Sequence, residues 1–269
     1  MTEEVGFGEE IQRPDATGGR MNLGPPDFEA IERATVAGVA PRILEEDDGW
    51  LLAIDDGFIG RANSLTPLRE GGDLAARVAR AEARYASEGL SPAFRLPGHT
   101  TFPELEAVLA GRGYRPEAPV SVQLGEAATV IARVSDPPAD VSEAPDKAWA
   151  SVFVSDGFDA ADGLSRVRSL SRSPGAVYAA VREGDLASAV GVASFGFGWA
   201  GIHGMRTARA FRGRGLARRV LSALGQAIHA RGYERIYLQV DPDNVPAMAL
   251  YRRAGFSPAW TYVYWRRSD

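Results

Sequence analysis

A glycine-rich basic loop that opens a helix is the feature that most narrows what this chain can fold into. Residues 212–215 read Arg-Gly-Arg-Gly and lead directly into Leu216. Apolar residues then recur at helical spacing as far as Ile228. Glycine reaches positive φ without steric cost, and a helix start presents unpaired N–H groups and a positive dipole end. The pattern therefore predicts a cradle for a pyrophosphate, although a basic glycine loop could also be an RNA-binding tract or a simple turn.

The stretch after this helix carries a second motif. A short apolar run, residues 236–240, predicts a strand, and a helix-like segment follows and ends in Gly255-Phe256. Together the two motifs resemble the acyl-CoA-binding and closing motifs of the GCN5-related N-acetyltransferase (GNAT) superfamily, over about residues 128–269. The matching positions are the Arg-x-x-Gly-x-Ala loop and then Asn244, Ala247, Leu250, Tyr251, Gly255 and Phe256.

The resemblance implies a mixed α/β sheet and acetyl-CoA as co-substrate. In the family, the co-substrate enters between two central strands that splay apart. The backbone of the strand before the loop binds its pantetheine arm, and the loop amides hold its pyrophosphate. The cofactor-binding residues implied here are Met205, Arg206, Thr207, Arg212, Gly213, Arg214, Gly215, Leu216, Ala217, Asn244 and Ala247.

Two side chains are candidates for the chemistry. The resemblance places Tyr251 at the family's general-acid position, and a phenol pKa near 10 is comparable to that of a departing thiolate. Tyr251 could instead be an ordinary helix tyrosine that packs on the sheet. Many family members carry a glutamate base before the loop, where this chain has His203, alternating with Gly201 and Met205. His203 could accept the amine proton with a pKa of roughly 6 to 7, or be a buried, hydrogen-bonded histidine.

The chain also aligns with itself at an offset of 142 positions, as Leu74 on Leu216 and Gly113 on Gly255 show. The offset predicts two tandem GNAT-like acyl-CoA N-acyltransferase folds. Residues 1–20 are expected to be a mobile tail, with Met21 a possible true start, residues 21–126 a degenerate domain, and residues 127–269 the catalytic domain.

The first copy differs where chemistry would occur. Glu70 replaces Arg212 and Asp73 replaces Gly215, so carboxylates would face a pyrophosphate. We therefore expect no acyl-CoA in the first half. Arg61 falls at the position of His203 and could bind a substrate carboxylate or serve as a structural ion-pair residue.

Composition excludes other classes of function. The chain has no cysteine, and its three histidines are scattered, so no disulfide and no metal site is expected. A net charge of −5 argues against a nucleic-acid surface, and no apolar run reaches membrane-spanning length. We expect a cytoplasmic N-acetyltransferase with a small-molecule or peptide amine as acceptor. A non-catalytic acyl-CoA sensor and a protein acetyltransferase stay open as alternatives.

Periodicity predicts helices and strands along both halves. Two of these predictions matter below. Residues 58–65 and residues 129–134 are both predicted as strands.

Overall fold

The fold is known from a computed structural model that describes residue 21, residues 23–134 and residues 136–267. The tail predicted for residues 1–20 lies outside this range. The described residues form eight α-helices: α1 (Pro25–Ala37), α2 (Leu74–Ala86), α3 (Pro103–Gly111), α4 (Ala127–Arg133), α5 (Lys147–Ser151), α6 (Ala160–Ser171), α7 (Leu216–Ala230) and α8 (Val245–Arg253). None of these helices is long and apolar enough to cross a membrane.

The strands of the described residues are β1 (Ile43–Asp47), β2 (Trp50–Ile54), β3 (Ser64–Pro67), β4 (Phe94–Pro97), β5 (Tyr114–Pro116), β6 (Val120–Glu126), β7 (Asp140–Ser142), β8 (Val177–Glu183), β9 (Leu186–Gly196), β10 (Trp199–Thr207), β11 (Arg235–Val240) and β12 (Ser257–Arg267). They form one sheet in the order β1-β2-β3-β4-β12-β6-β11-β10-β9-β8-β7, with β5 beside β12. The contacts β3–β4 and β10–β11 are parallel, and the other strand pairs are antiparallel. The predicted mixed α/β sheet is confirmed.

The offset seen in the sequence relates matching elements of the structure. Leu74 and Leu216, which are 142 positions apart, each begin a helix that connects two parallel strands. The next helices, α3 and α8, match at both ends at the same offset. Each half therefore contains a strand, a helix, a parallel strand and a second helix in the same order.

The two halves share strands at the centre of the sheet. β6 pairs with β11, and β12 pairs with β4. β6 and β12 also pair with each other. The predicted division at residues 126–127 falls between β6 and α4, while the sheet runs without interruption from one half to the other.

Helices cover both faces of this sheet. On one face α4 and α7 pack over the inward residues of β10 and β11, among them Ile202 and Leu238. On the other face α1 contributes Ile31 and Ala34 to a cluster with Trp199 and Tyr237. We refer to these as the α7 face and the α1 face.

Two strand predictions were wrong. Residues 129–134 belong to helix α4 up to Arg133, because Ala127 and Val130 lie one helical turn apart and pack against α7, where Gly225 leaves room for Val130. Residues 58–65 begin with a 3-10 turn, Gly60–Ala62, before β3 starts. A Cβ on Gly60 would lie 2.7 Å from the Tyr264 hydroxyl, so the turn brings the backbone close to that side chain.

Candidate active site

The central parallel strands separate at their carboxyl ends. β10 and β11 pair only between residues 200–202 and 236–238. A bulge between His203 and Arg206, with Gly204 at φ +59°, bends β10 away while it stays paired to β9. The backbone of Met205, Arg206 and Thr207 lines the β10 side of the resulting gap. This is where the sequence predicted the arm of an acyl-CoA.

The loop after β10 has the conformation of an anion cradle. Gly213 and Gly215 have φ of +78° and +75°, and a Cβ added to either would meet nothing within 4 Å. Gly215 directly precedes Leu216 at the start of α7, and no side chain caps that helix. Within the described residues, no acceptor takes the N–H groups of residues 213–215. Open space and free donors therefore meet at a helix N-terminus, which fits a pyrophosphate.

The arginines at the loop are exposed and only loosely held. Arg214 lies 2.9 Å from Glu183 and Arg218 lies 2.8 Å from Asp136. The Arg212 guanidinium sits 5.4 Å from the ring centre of Phe158. Ion pairs at such exposed positions contribute little to stability, so these side chains are available to an anion.

Other predicted residues can act through the backbone alone. The Arg206 side chain is tied to Asp162 at 2.7 Å and to the carbonyl of Phe153 at 3.0 Å. Leu216 is buried in the core below α7, and Ala217 is half-buried.

Asn244 has a structural role that the motif did not reveal. Its side-chain oxygen accepts a hydrogen bond from the N–H of Ala247 at 3.3 Å. The contact caps the start of α8, and so it sets the position of Tyr251 two turns along that helix.

Tyr251 lies on the α7 face. It is 6% exposed, belongs to the core cluster of Ile202, Leu238 and Val240, and meets the Phe256 ring edge-on at 5.8 Å. Burial raises the pKa of Tyr251 to about 12. The phenol is therefore protonated throughout the neutral pH range.

His203 lies on the α1 face, opposite Tyr251. It is 3% exposed, and its Nε2 is 2.9 Å from the Ser194 hydroxyl. The C-terminal end of α1 covers it so closely that a Cβ on Gly38 would come within 2.8 Å of Nε2. Burial, aided by the charge of Arg61, lowers the pKa of His203 well below its ordinary value. His203 is neutral at pH 7.

The expected alternation of His203 with Met205 was wrong. A Cβ on Gly191 would lie 2.6 Å from the Met205 sulfur and near Val220 of α7, so Met205 faces α7. The bulge at Gly204 inserts an extra residue, which turns the following side chains to the other face.

The first half places its own carboxylates at two helix starts, and one of these starts corresponds to the free cradle of the second half. Glu70 accepts the N–H of Leu105 near the start of α3 at 3.3 Å, and Asp73 accepts the N–H of Ala76 in α2 at 3.0 Å. These contacts place negative charge at both helix starts.

Sequence reasoning missed a polar cluster under α1. Arg61 donates to the side-chain oxygen of Gln239, whose amide donates to Thr35 at 3.0 Å. Nearby, Arg95 and Glu32 form a buried ion pair at 2.6 Å. Gln239 is the first residue of β11 beyond the segment that pairs with β10. A single glutamine inside a strand gives no signal that it borders a gap.

Comparison with known proteins agrees with this geometry. Residues 140–256 match the model of the Acetyltransferase (GNAT) family. The uncharacterized N-acetyltransferase YobR of Bacillus subtilis strain 168 is 25% identical over 245 residues, which are 88% of this chain and 98% of that protein. A mycothiol acetyltransferase of Corynebacterium aurimucosum is 41% identical over a short stretch of 59 residues, 22% of this chain and 19% of the relative.

Solved structures share the fold over most of the chain. A GCN5-related N-acetyltransferase from Kribbella flavida superposes with a TM-score of 0.66 at 19% identity, covering 90% of this chain and 95% of that one. A tandem GNAT protein from the clavulanic acid biosynthesis pathway gives 0.55 at 15% identity, covering 90% and 97%. The anion cradle and the diverging strands both lie within residues 140–256, the range that matches the GNAT family model.

Proposed function

We propose that this protein is an N-acetyltransferase that moves an acetyl group from acetyl-CoA to a primary amine of a small molecule or peptide, by direct transfer in a ternary complex. The observation that carries the proposal is the free N–H cradle of residues 213–215 beside the gap between β10 and β11. The short match to mycothiol acetyltransferases supports acetyl as the acyl group.

The residues present fit acetyl-CoA, which would supply the acetyl thioester. The cradle and the exposed Arg212, Arg214 and Arg218 suit its phosphates. The free edge of Met205–Thr207 suits an arm that needs backbone hydrogen bonds. Asn244 and Ala247 support this site indirectly, because they fix the start of α8.

Tyr251 then serves as hydrogen-bond donor to the departing sulfur. Its pKa of about 12 is above that of an ordinary thiol, which is about 8.5. Complete proton transfer to a thiolate is therefore unfavourable, whereas donation of a hydrogen bond to developing negative charge is favourable.

His203 is the candidate acceptor of the amine proton, on the face opposite Tyr251. Its lowered pKa keeps it unprotonated at neutral pH, so it is available as a base. The buried Nδ1 has no hydrogen-bond partner within the described residues, and it is the nitrogen left to act when Nε2 binds Ser194.

Two measurements test the proposed function. Titration calorimetry with acetyl-CoA should give one site per chain, since Asp73 occupies the start of α2, which is the first-half counterpart of the α7 start. Incubation with acetyl-CoA and a panel of primary amines should release free thiol. A protein that binds no acetyl-CoA would contradict the proposal, and two sites per chain would contradict the degenerate first half.

A further inference from the structure

We infer that the acceptor amine also carries a carboxylate, and that Arg61 of the first half binds it. The inference rests on the proposed function, because it concerns the acceptor of that same reaction.

The position of Arg61 is the first argument. It lies in the 3-10 turn Gly60–Ala62, and its guanidinium donates to Gln239 at the point where β11 leaves β10. Its charge adds to the burial that lowers the pKa of His203, and it partly offsets the burial that raises the pKa values of Tyr237 and Tyr264. Arg61 is therefore on the α1 face beside the gap, on the side away from Tyr251.

The second argument is charge. Within the described residues no carboxylate lies within 4 Å of Arg61, and its one hydrogen-bond partner is the neutral amide of Gln239. The nearby carboxylate of Glu32 is already 2.6 Å from Arg95. The cluster under α1 thus holds two guanidinium groups and one carboxylate. A partly buried excess positive charge favours an anionic ligand.

The third argument is geometry. One terminal nitrogen of Arg61 is engaged by Gln239, which leaves an N–H pair of the planar fork free. A carboxylate accepts such a pair in two parallel hydrogen bonds. Arg61 is partly exposed, so a small solute can reach it, and the buried Nδ1 of the neighbouring His203 is without a described partner. The carboxylate of such an acceptor would bind the Arg61 guanidinium, and its amine would then lie toward the gap between β10 and β11.

The test compares matched acceptors. Wild-type protein is assayed by thiol release with amino carboxylates of increasing length, from glycine to 6-aminohexanoate, and with the carboxamide of each. We expect the best amino carboxylate to exceed its carboxamide in kcat/KM by about 10- to 100-fold, the usual worth of a charged hydrogen-bonded contact. Arg61→Gln should reduce this ratio to near one, and Arg61→Lys should restore part of it, because a point charge remains without the fork.

Arg42→Gln is the matched control, since Arg42 is an exposed arginine of the same half that is paired with Glu88. It should leave the ratio unchanged. Equal use of carboxylates and carboxamides by the wild type would overturn the inference, as would a ratio that survives Arg61→Gln. If Arg61→Gln instead weakens acetyl-CoA binding in calorimetry, the residue serves the co-substrate and the inference is wrong. If the wild type binds acetyl-CoA but acetylates no amino carboxylate, the inference is also wrong. If the wild type does not bind acetyl-CoA at all, the proposed function itself is wrong.

Discussion

At the scale of single residues, the two candidate catalytic side chains are separated by the sheet. Tyr251 lies with Ile202 and Leu238 on the α7 face, whereas His203 lies under α1. A proton acceptor and a hydrogen-bond donor on opposite faces of a gap suit a transfer in which the amine enters from one side and the thiol leaves toward the other.

Tyr251→Phe should lower kcat by about a hundredfold while the Kd for acetyl-CoA changes little. Only a hydroxyl is removed, and the ring keeps its contact with Phe256. The measurement is steady-state thiol release together with calorimetry. Unchanged turnover on a good acceptor would assign the sulfur's hydrogen bond to another group.

His203 should make the stability of the protein depend on pH. Because folding lowers the pKa of His203, this side chain binds a proton below about pH 6.5 in the unfolded chain but stays neutral in the folded protein. Its contribution is complete above that pH and is lost as the pH falls, by up to about 1.4 kcal/mol per pH unit.

This is checked by measuring the free energy of unfolding in urea for the wild type and for His203→Gln at several values between pH 7.5 and pH 5; the expected differences are about 1 kcal/mol. The variant should show the shallower decline. His99→Gln is the comparison, because burial lowers the pKa of His99 as well, in a less enclosed position. If His203 also accepts the amine proton, the rate should begin to fall at a lower pH than the range of 6 to 7 that the sequence alone suggested, because the pKa of His203 is lowered. Parallel stability curves for wild type and His203→Gln would contradict the lowered pKa.

At the scale of elements, the ends of α7 offer a matched pair of glycines. Gly215 and Gly232 flank the helix with φ of +75° and +77°, and a Cβ at either would meet nothing within 4 Å. Gly215→Glu should abolish acetyl-CoA binding, since it places a carboxylate in the anion cradle. Gly232→Glu carries the same backbone strain and the same charge change at the far end, so it should bind normally. Equal binding by both variants in calorimetry would contradict the cradle.

Most elements could be predicted from the sequence because glycine, proline and apolar spacing mark them locally. The helix after the loop and the copy of it at Leu74 begin where the pattern placed them. Residues 129–134 could not be predicted, since their β-branched composition favours a strand and only packing against α7 makes them helical.

The glycine loop of the site could be predicted because a sequence motif defines it, whereas contacts that form only in the folded protein could not. Gly213 and Gly215 carry a local signal for a turn. The bulge at Gly204, which separates His203 from Met205, depends on the pairing with β9. The contact of Arg61 with Gln239 joins residues 178 positions apart and leaves no pattern in the sequence.

At the scale of the whole molecule, the shared strands make the halves interdependent. A fragment of residues 127–269 lacks β6, which pairs with β11, and α1, which covers His203. Such a fragment should remain insoluble or unfolded when expressed alone, because β11 and a buried polar face would be exposed. Co-expression with a fragment of residues 1–126 should restore a folded complex, as judged by circular dichroism and gel filtration. A stable, acetyl-CoA-binding second half on its own would contradict this view.

The strand order also has a consequence for synthesis on the ribosome. β4 ends at Pro97, but its neighbour β12 begins only at Ser257. At bacterial-like elongation rates this interval lasts on the order of ten seconds, during which the nascent chain presents an incomplete edge. β4 carries the charge of Arg95 and, at Pro97, a backbone nitrogen that has no hydrogen to donate, and both discourage pairing with foreign strands. We therefore expect two residues that lie inside the finished sheet to limit aggregation of the nascent chain while translation is still under way.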